Sequence, residues 1–291
     1  PPPPPPPPRL DSSAASDVYK RQVVFNTDGL DWRRRKWGRF ARAYLKANYW
    51  LARKIASHLV SDSKELQRLY REQHDADSAF LTNGGHVHEV ANEARQSELL
   101  AEHSLEPGRY YLQVCRIEPE NNPDVVVREY LASSAQDPLV VVGGANYEST
   151  YFEALKATDD PRVRFTGPVY EPEHIEALFL GAKAYVHGHE VGGTNPSLVT
   201  AMGCGQLVLA HAVPFNREVL GGNGLLWTKA EGSLRACIEE VEIDAEALRA
   251  QAAIACRERI RDFYAWDKCA RDHDRFFRWL AGEVEDYADS F

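Results

Sequence analysis

Residues Ala184–Ala210 read AYVHGHEVGGTNPSLVTAMGCGQLVLA, and the reading of this stretch decides the fold. AYVH is a short apolar strand, GHEVGGT a loop with two adjacent glycines, NPSLVTAM the opening of a helix, and QLVLA a second strand. Asn195 is placed to cap the helix and Pro196 to fill its first position, where a missing N–H costs nothing. Strand, loop, helix, strand is the repeating unit of a parallel sheet. Gly192 and Gly193 let a ligand approach the backbone, and Thr194 and Ser197 set hydroxyls beside the free N–H groups of the helix start. A terminus of that kind suits a phosphate or diphosphate. The plainer alternative is a turn whose glycines serve packing alone.

The same grammar continues on the N-terminal side. Tyr110–Cys115, Leu139–Val142 and Val163–Phe165 read as strands, with helices over Pro123–Ser133, Ser149–Ala157 and Glu171–Phe179 between and after them. Short apolar strands alternating with helices predict an α/β fold with a parallel sheet covered on both faces. Ligands of such sheets bind beyond the carboxyl ends of the strands. Arg116 stands just past one strand end, on the same edge as the glycine loop, where a guanidinium can pair with a diphosphate bidentately. The alternative there is a surface arginine paired with Glu118 or Glu120. A last long helix is expected from Ala245 to Leu280, bent near Tyr264-Ala265-Trp266.

The N-terminal third differs in character. Pro1–Pro8 is a homopolymer, and the segment to Gln22 has neither apolar periodicity nor a signal-peptide core, so residues 1–22 are excluded from the fold as a non-native leader. Val23–Asn26 reads as a strand. A helix follows in which Trp37, Phe40, Ala41, Tyr44, Leu45, Leu51, Ala52 and Ile55 recur at helical spacing, predicting one buried face. Its other face is basic. Trp32–Ser61 holds nine Lys and Arg and no acidic residue, although the whole chain carries a net charge of −9. That helix has three readings: a solvated face, attachment to anionic lipid, or contact with an anionic acceptor. His58–Ser61 is a second strand, Ser63 caps a helix, and the polar stretch from Asn83 to about Gly108 is the expected domain boundary.

Composition narrows the function. With 44% hydrophobic and 26% charged residues in 291, the chain is globular, and it has no apolar run long enough to cross a membrane. The acidic balance argues against nucleic-acid binding. Five cysteines without a C-x-x-C pair suggest neither a disulfide framework nor a zinc site, which fits a reducing cytoplasm. His86–His88 and His187–His189 each offer two metal ligands with no convincing third, so no metal is expected. There is no G-x-S-x-G elbow and no Walker A pattern.

Four separated motifs carry a family resemblance: NTDGLDWRRRKW from Asn26, RIEPENN from Arg116, GHEVGGTNPSLVTAM from Gly188 and PFNREVLG from Pro214. In this order they resemble the retaining glycosyltransferases of family four, and more narrowly their bacterial rhamnosyltransferase branch. The resemblance implies a GT-B fold of two Rossmann-like domains facing a cleft. Residues 1–22 are then the leader, 23–105 a partial acceptor-side domain, 106–262 the nucleotide-sugar domain, and 263–291 a helix crossing back. It implies transfer of a hexose or deoxyhexose, rhamnose included, from a nucleotide-sugar to a glycan or lipid-linked acceptor in surface polysaccharide synthesis. No metal or other cofactor is implied. The expected location is the cytoplasm, with peripheral contact at the inner face of the bacterial membrane where the basic helix is read as lipid-facing.

Residue by residue, the resemblance puts Arg116 on the donor diphosphate and Asn121 where many relatives have a lysine. Gly143, Gly144, Val169 and Tyr170 would line the nucleotide pocket. His189 and Glu190, with Gly192 and Gly193, would face the sugar. Thr194, Asn195, Pro196, Ser197 and Leu198 would surround the phosphates. Asp28, Trp32, Arg33 and Lys36 would lie on the acceptor side. Two departures stand out. Thr200 occupies the position of a glutamate that grips the ribose, and two full domains need roughly 300–400 residues, so a fragment is expected. The competing readings are an inactive nucleotide-sugar-binding fragment and a GT-B nucleotide-sugar epimerase.

Overall fold

Three short parallel strands begin the fold. β1 (Val24–Asn26), β2 (His58–Ser61) and β3 (Ala79–Phe80) lie in that order, with α1 (Arg39–Ile55) crossing from β1 to β2 and α2 (Lys64–His74) from β2 to β3. A computed structural model describes residues 22–27, 29–34, 36–145, 149–285 and 287; the leader up to residue 21 lies outside them. α2 starts where Ser63 accepts a hydrogen bond from Leu66 N at 3.1 Å.

α1 departs from the expectation of one buried face. Ala41, Leu45, Tyr49 and Ala52 are half-buried toward the sheet, where the Tyr49 ring meets Phe25 and Trp32 edge-on at 5.5 and 4.7 Å. Phe40, Tyr44 and Ile55 are 94%, 69% and 62% exposed, and no residue of the helix is fully buried. The apolar arc is wider than the part a three-stranded sheet covers, so half of it faces outward.

The larger unit follows α3 (Glu93–Glu102), a helix capped by Asn92 inside what reads as polar linker. Its strands are β4 (Tyr111–Val114), β5 (Leu139–Val142), β6 (Val163–Gly167), β7 (Ala184–His187), β8 (Val208–His211) and β9 (Leu225–Trp227). All are parallel, in spatial order β6-β5-β4-β7-β8-β9. The helices α4 (Pro123–Leu131), α5 (Thr150–Lys156), α6 (Pro172–Gly181), α7 (Pro196–Gly203) and α8 (Pro214–Leu220) provide the crossovers. β5, β7 and β8 are buried at every position, which is why they read as unbroken apolar runs. The chain builds outward from β4 to β6, then returns to the other flank of β4 and builds outward to β9. The loops after β4 and β7 therefore part at a topological switch point, where a crevice opens at the carboxyl edge.

The expected helix from Ala245 to Leu280 is three pieces. α9 (Ser233–Arg259) begins earlier and kinks at Asp244, a π-helical turn covers Ile260–Tyr264, and α10 (Trp266–Leu280) follows an extended Ala265. The break has a structural cause. Gly85 N donates to Tyr264 O at 2.7 Å and Trp266 N to Gly85 O at 3.3 Å, so the chain pairs with the inter-unit linker as it passes. α10 then packs on the first sheet, with Phe276 buried against Val60 and Leu81. The result is two parallel α/β units, one of them small, facing a shared cleft.

Candidate functional site

The cleft measures about 1070 Å³ and runs along the carboxyl edge of the six-stranded sheet, with Arg34, Asp62 and Asn83 reaching it from the N-terminal unit. At its centre lies the loop after β7. Asn195 Oδ1 accepts from Ser197 N at 3.0 Å and from Ser197 Oγ at 2.7 Å, and Tyr185 OH donates to Ser197 Oγ at 2.9 Å. Leu198 N and Val199 N both donate to Asn195 O. The first turn of α7 thus satisfies its own amides. Among the described residues, the amides of Gly192, Gly193, Thr194 and Asn195 donate to no protein group. The backbone donors open to an anion therefore lie in the loop, one step before the helix.

The N-terminal unit holds that loop tightly. Thr194 Oγ1 donates to Asp62 O at 2.6 Å, Thr82 Oγ1 to Thr194 Oγ1 at 3.1 Å, and Asn83 Nδ2 to Thr194 O at 3.3 Å. A Cβ at Gly193 would run into the Asp62 carboxylate, so glycine is required by the close approach of the two units. A Cβ at Gly143, where φ is +138°, would strike the Cys115 carbonyl. The cleft beside β5 depends on that narrow turn.

Arg116 follows β4, exposed, and its guanidinium makes no hydrogen bond or ion pair to any described residue. It is not paired with Glu118 or Glu120, the plainer reading of the sequence. Those buried carboxylates are met instead by Lys36, at 3.1 Å from Glu118 Oε1, and by Arg34, at 3.8 Å from Glu120 Oε1. Asn121 lines the cleft but gives its Nδ2 to Arg116 O at 2.7 Å, fixing the arginine's backbone. Burial holds Glu120 above the usual carboxylate range.

His189 and Glu190 border the cleft between these loops. The His189 ring stacks on His187 at 4.6 Å, and its backbone oxygen accepts from Asn216 Nδ2 at 2.9 Å. Burial, helped by the positive charges of Arg116 and Arg34, pushes the His189 imidazole down to about 3. It is neutral at physiological pH. Glu190 pairs with Lys229 and accepts from Asn122 Nδ2 at 3.2 Å, and its amide donates to Glu120 O at 3.0 Å.

Gly143, Gly144, Val169 and Tyr170 also border the cleft, as do Gly192, Gly193, Thr194, Asn195, Pro196 and Ser197. Leu198 and Thr200 do not: Leu198 is fully buried in the core, and Thr200 is half-buried further along α7. Of the residues expected on the acceptor side, Trp32 packs on Tyr49, Arg33 is exposed outside the cleft, and Lys36 is held by Glu118. Asp28 lies outside the described residues. No sequence signal pointed to Phe152, Lys156 and Phe165 beside β5 and β6, and only PFNREVLG carried any signal of Phe215 and Asn216 on α8, all of which border the cleft. Among the described residues no group of three or more His, Cys, Asp or Glu side chains is arranged to hold a metal ion.

Known proteins share this fold. Residues 108–242 match the family model for glycosyl transferases group 1, and residues 16–86 match a domain of unknown function, DUF1972. No curated protein matches by sequence. Among solved structures, HepE of Anabaena in complex with UDP-glucose superposes with a TM-score of 0.75 at 18% identity, over 90% of this chain and 74% of that one. Sucrose-phosphate synthase of Thermosynechococcus elongatus gives 0.76 at 18% identity, over 93% and 70%. A glycosyltransferase of Rickettsia africae gives 0.73 at 11% identity, over 94% and 74%. The fold is that of the GT-B glycosyltransferases, and residues 108–242 are similar to the group 1 glycosyl transferase model.

Proposed function

We propose that this protein binds a nucleoside-diphosphate sugar in the cleft and transfers its hexosyl or deoxyhexosyl group, rhamnose among the candidates, with retention. The acceptor is a glycan or lipid-linked sugar in surface polysaccharide synthesis. One observation carries the reading: the guanidinium of Arg116 and the four amides of Gly192–Asn195, none of them bonded to a described residue, share one cleft. As the bond from the sugar's anomeric carbon to the β-phosphate oxygen breaks, negative charge grows on the diphosphate. Preorganised N–H donors stabilise that charge without reorganising. The acceptor hydroxyl attacks from the face the diphosphate leaves, and its proton passes to the departing phosphate oxygen. Arg116 and the amides supply the charge stabilisation, so the reading needs no metal ion. Neutral His189 offers one donor and one acceptor nitrogen to sugar hydroxyls, and Glu190, held by Lys229, offers acceptors.

The same proposal places the protein in the cytoplasm against anionic lipid. Its support is the outward arc of Phe40, Tyr44 and Ile55 on α1 beside Arg39, Lys46 and Lys54. No helix among the described residues is long and apolar enough to cross a membrane. A second reading, donor binding without transfer, draws on Thr200, which stands away from the cleft where the resemblance calls for a ribose-gripping carboxylate.

Isothermal titration of the chain with UDP, GDP and dTDP tests the donor site. Micromolar binding of one of them, lost in Arg116→Ala, is expected, while equal binding by wild type and variant would refute the assignment. Incubation with the matching nucleotide-sugar and lipid-linked acceptors, with the product's anomeric configuration read by NMR, tests transfer and retention.

A further inference from the structure

Arg34 belongs to the N-terminal unit, in the turn after β1, yet it borders the same cleft as Arg116, which follows β4. Its side chain is only 16% exposed. Nε lies 2.7 Å from Asp31 Oδ1, and Nη1 lies 3.8 Å from Glu120 Oε1, beyond hydrogen-bond distance. The guanidinium is thus ion-paired with Asp31, but none of its N–H groups is aligned for a hydrogen bond to a described residue, and Nε is buried without one. A guanidinium carries five donors in a fixed fork matched to carboxylate and phosphate oxygens. One held at a cleft wall by two carboxylates, with N–H donors left over on its two terminal nitrogens, can receive an oxyanion from the cleft side.

On the C-terminal side of the cleft the described cations are Arg116 and Lys156, and Lys156 is ion-paired with Glu153 at 3.1 Å. A departing diphosphate bears more negative charge than one guanidinium neutralises, and the position after the Glu118–Glu120 turn is Asn121. Its Nδ2 is committed to Arg116 O, so it brings neither charge nor a free donor on that nitrogen. Arg34 and Arg116 both bear on His189, which lies between the two units at the cleft wall, so the two guanidinium groups lie within electrostatic reach of one point.

Building on the donor-site reading above, we propose that Arg34 is the second cation for the donor diphosphate, supplied across the cleft by the N-terminal unit. Glu120 and Asp31 hold it in place while the cleft is empty, and the incoming diphosphate takes the donors they leave unused. Nucleotide binding then engages both units at once, through Arg116 on one side and Arg34 on the other. This role separates Arg34 from Lys36, whose ammonium is already spent on Glu118 at hydrogen-bond distance.

The test is titration of the full chain with UDP, GDP and dTDP, each beside its monophosphate, in wild type, Arg34→Met, Arg34→Lys and Glu120→Gln. Arg34→Met is expected to weaken diphosphate binding by about 10- to 100-fold and monophosphate binding by less than about threefold. Arg34→Lys recovers part of the loss. Glu120→Gln releases the guanidinium without removing it and leaves diphosphate affinity within about threefold of wild type. If Arg34 merely pins the Glu118–Asn121 turn, Glu120→Gln and Arg34→Met weaken binding alike, and the proposal fails. Unchanged diphosphate affinity in an Arg34→Met protein that unfolds at the wild-type temperature also overturns it. If wild type binds none of the three diphosphates, the donor-site reading itself falls, and this inference with it.

Discussion

His189 makes the stability of the fold depend on pH in a calculable way. Its imidazole lies at about 3 in the folded chain against an ordinary value of 6.5, chiefly because it is buried and secondarily because Arg116 and Arg34 are near. The unfolded chain therefore takes up a proton below 6.5 that the folded chain refuses until about 3. Stability rises with pH wherever the unfolded state binds more protons, so this group's contribution is complete above 6.5 and is lost progressively as the pH falls toward 3. At roughly 1.4 kcal/mol for each pH unit below the unfolded value, the loss is about 2 kcal/mol at pH 5 and near zero at pH 7.5. Glutamine in place of His189 keeps a neutral hydrogen-bonding side chain and does not titrate. Urea unfolding followed by tryptophan fluorescence, on wild type and His189→Gln, isolates the effect, because His187 and the acidic residues titrate in both. The wild type is expected to lose about 2 kcal/mol relative to the variant between pH 7.5 and 5. A gap that stays the same at both pH values would show that the imidazole is not held neutral by its surroundings. The same neutrality predicts that donor binding shows no titration limb near 6.5 that disappears in His189→Gln.

Other consequences are open to equally direct tests. Glu218 on α8 accepts the Lys64 and Glu65 amides at 2.7 and 3.0 Å, capping α2 from the other unit. Glu218→Ala is expected to cost about 2–3 kcal/mol in urea unfolding, and a loss below about 0.5 kcal/mol refutes that capping role. Because Thr200 does not border the cleft, Thr200→Glu is expected to leave nucleotide affinity within about threefold; a tightening of about tenfold in titration would show that the carboxylate reaches the ribose. Serine at Phe40, Tyr44 and Ile55 should change thermal stability little, within about 0.5 kcal/mol each, while abolishing sedimentation with phosphatidylglycerol vesicles. Binding to those vesicles that survives all three changes contradicts the lipid-facing role of α1.

What the sequence discloses and what it withholds follow from the kind of contact involved. β5 and β7 are legible because a strand buried on both faces tolerates only apolar side chains, as in LVVV and AYV. α3 is hidden because its burial rests on Leu99 and Leu100 alone, and two adjacent residues leave no period to read. The period of α1 is plain, yet a period says only that a helix has an apolar side. How much of that side is covered depends on the width of the sheet beneath it. The same division runs through the site. The glycine loop and the Asn195 cap are local, so the sequence displays them, although which amides stay free is settled by Asn195 turning its carbonyl and side chain on the first turn of α7. Arg34 meeting Glu120, Glu218 capping α2 and Asp62 pressing on Gly193 each join residues more than 80 positions apart. No local pattern encodes such pairs. In the sequence Arg34 is one of four consecutive basic residues, indistinguishable from Arg33 and Lys36. In the fold one of those three is exposed outside the cleft, one is spent on Glu118, and Arg34 borders the cleft between Asp31 and Glu120 with no side-chain hydrogen bond to a described residue. Basic charge along a chain therefore identifies a candidate surface, and the individual residue that acts is selected by what its neighbours leave uncommitted.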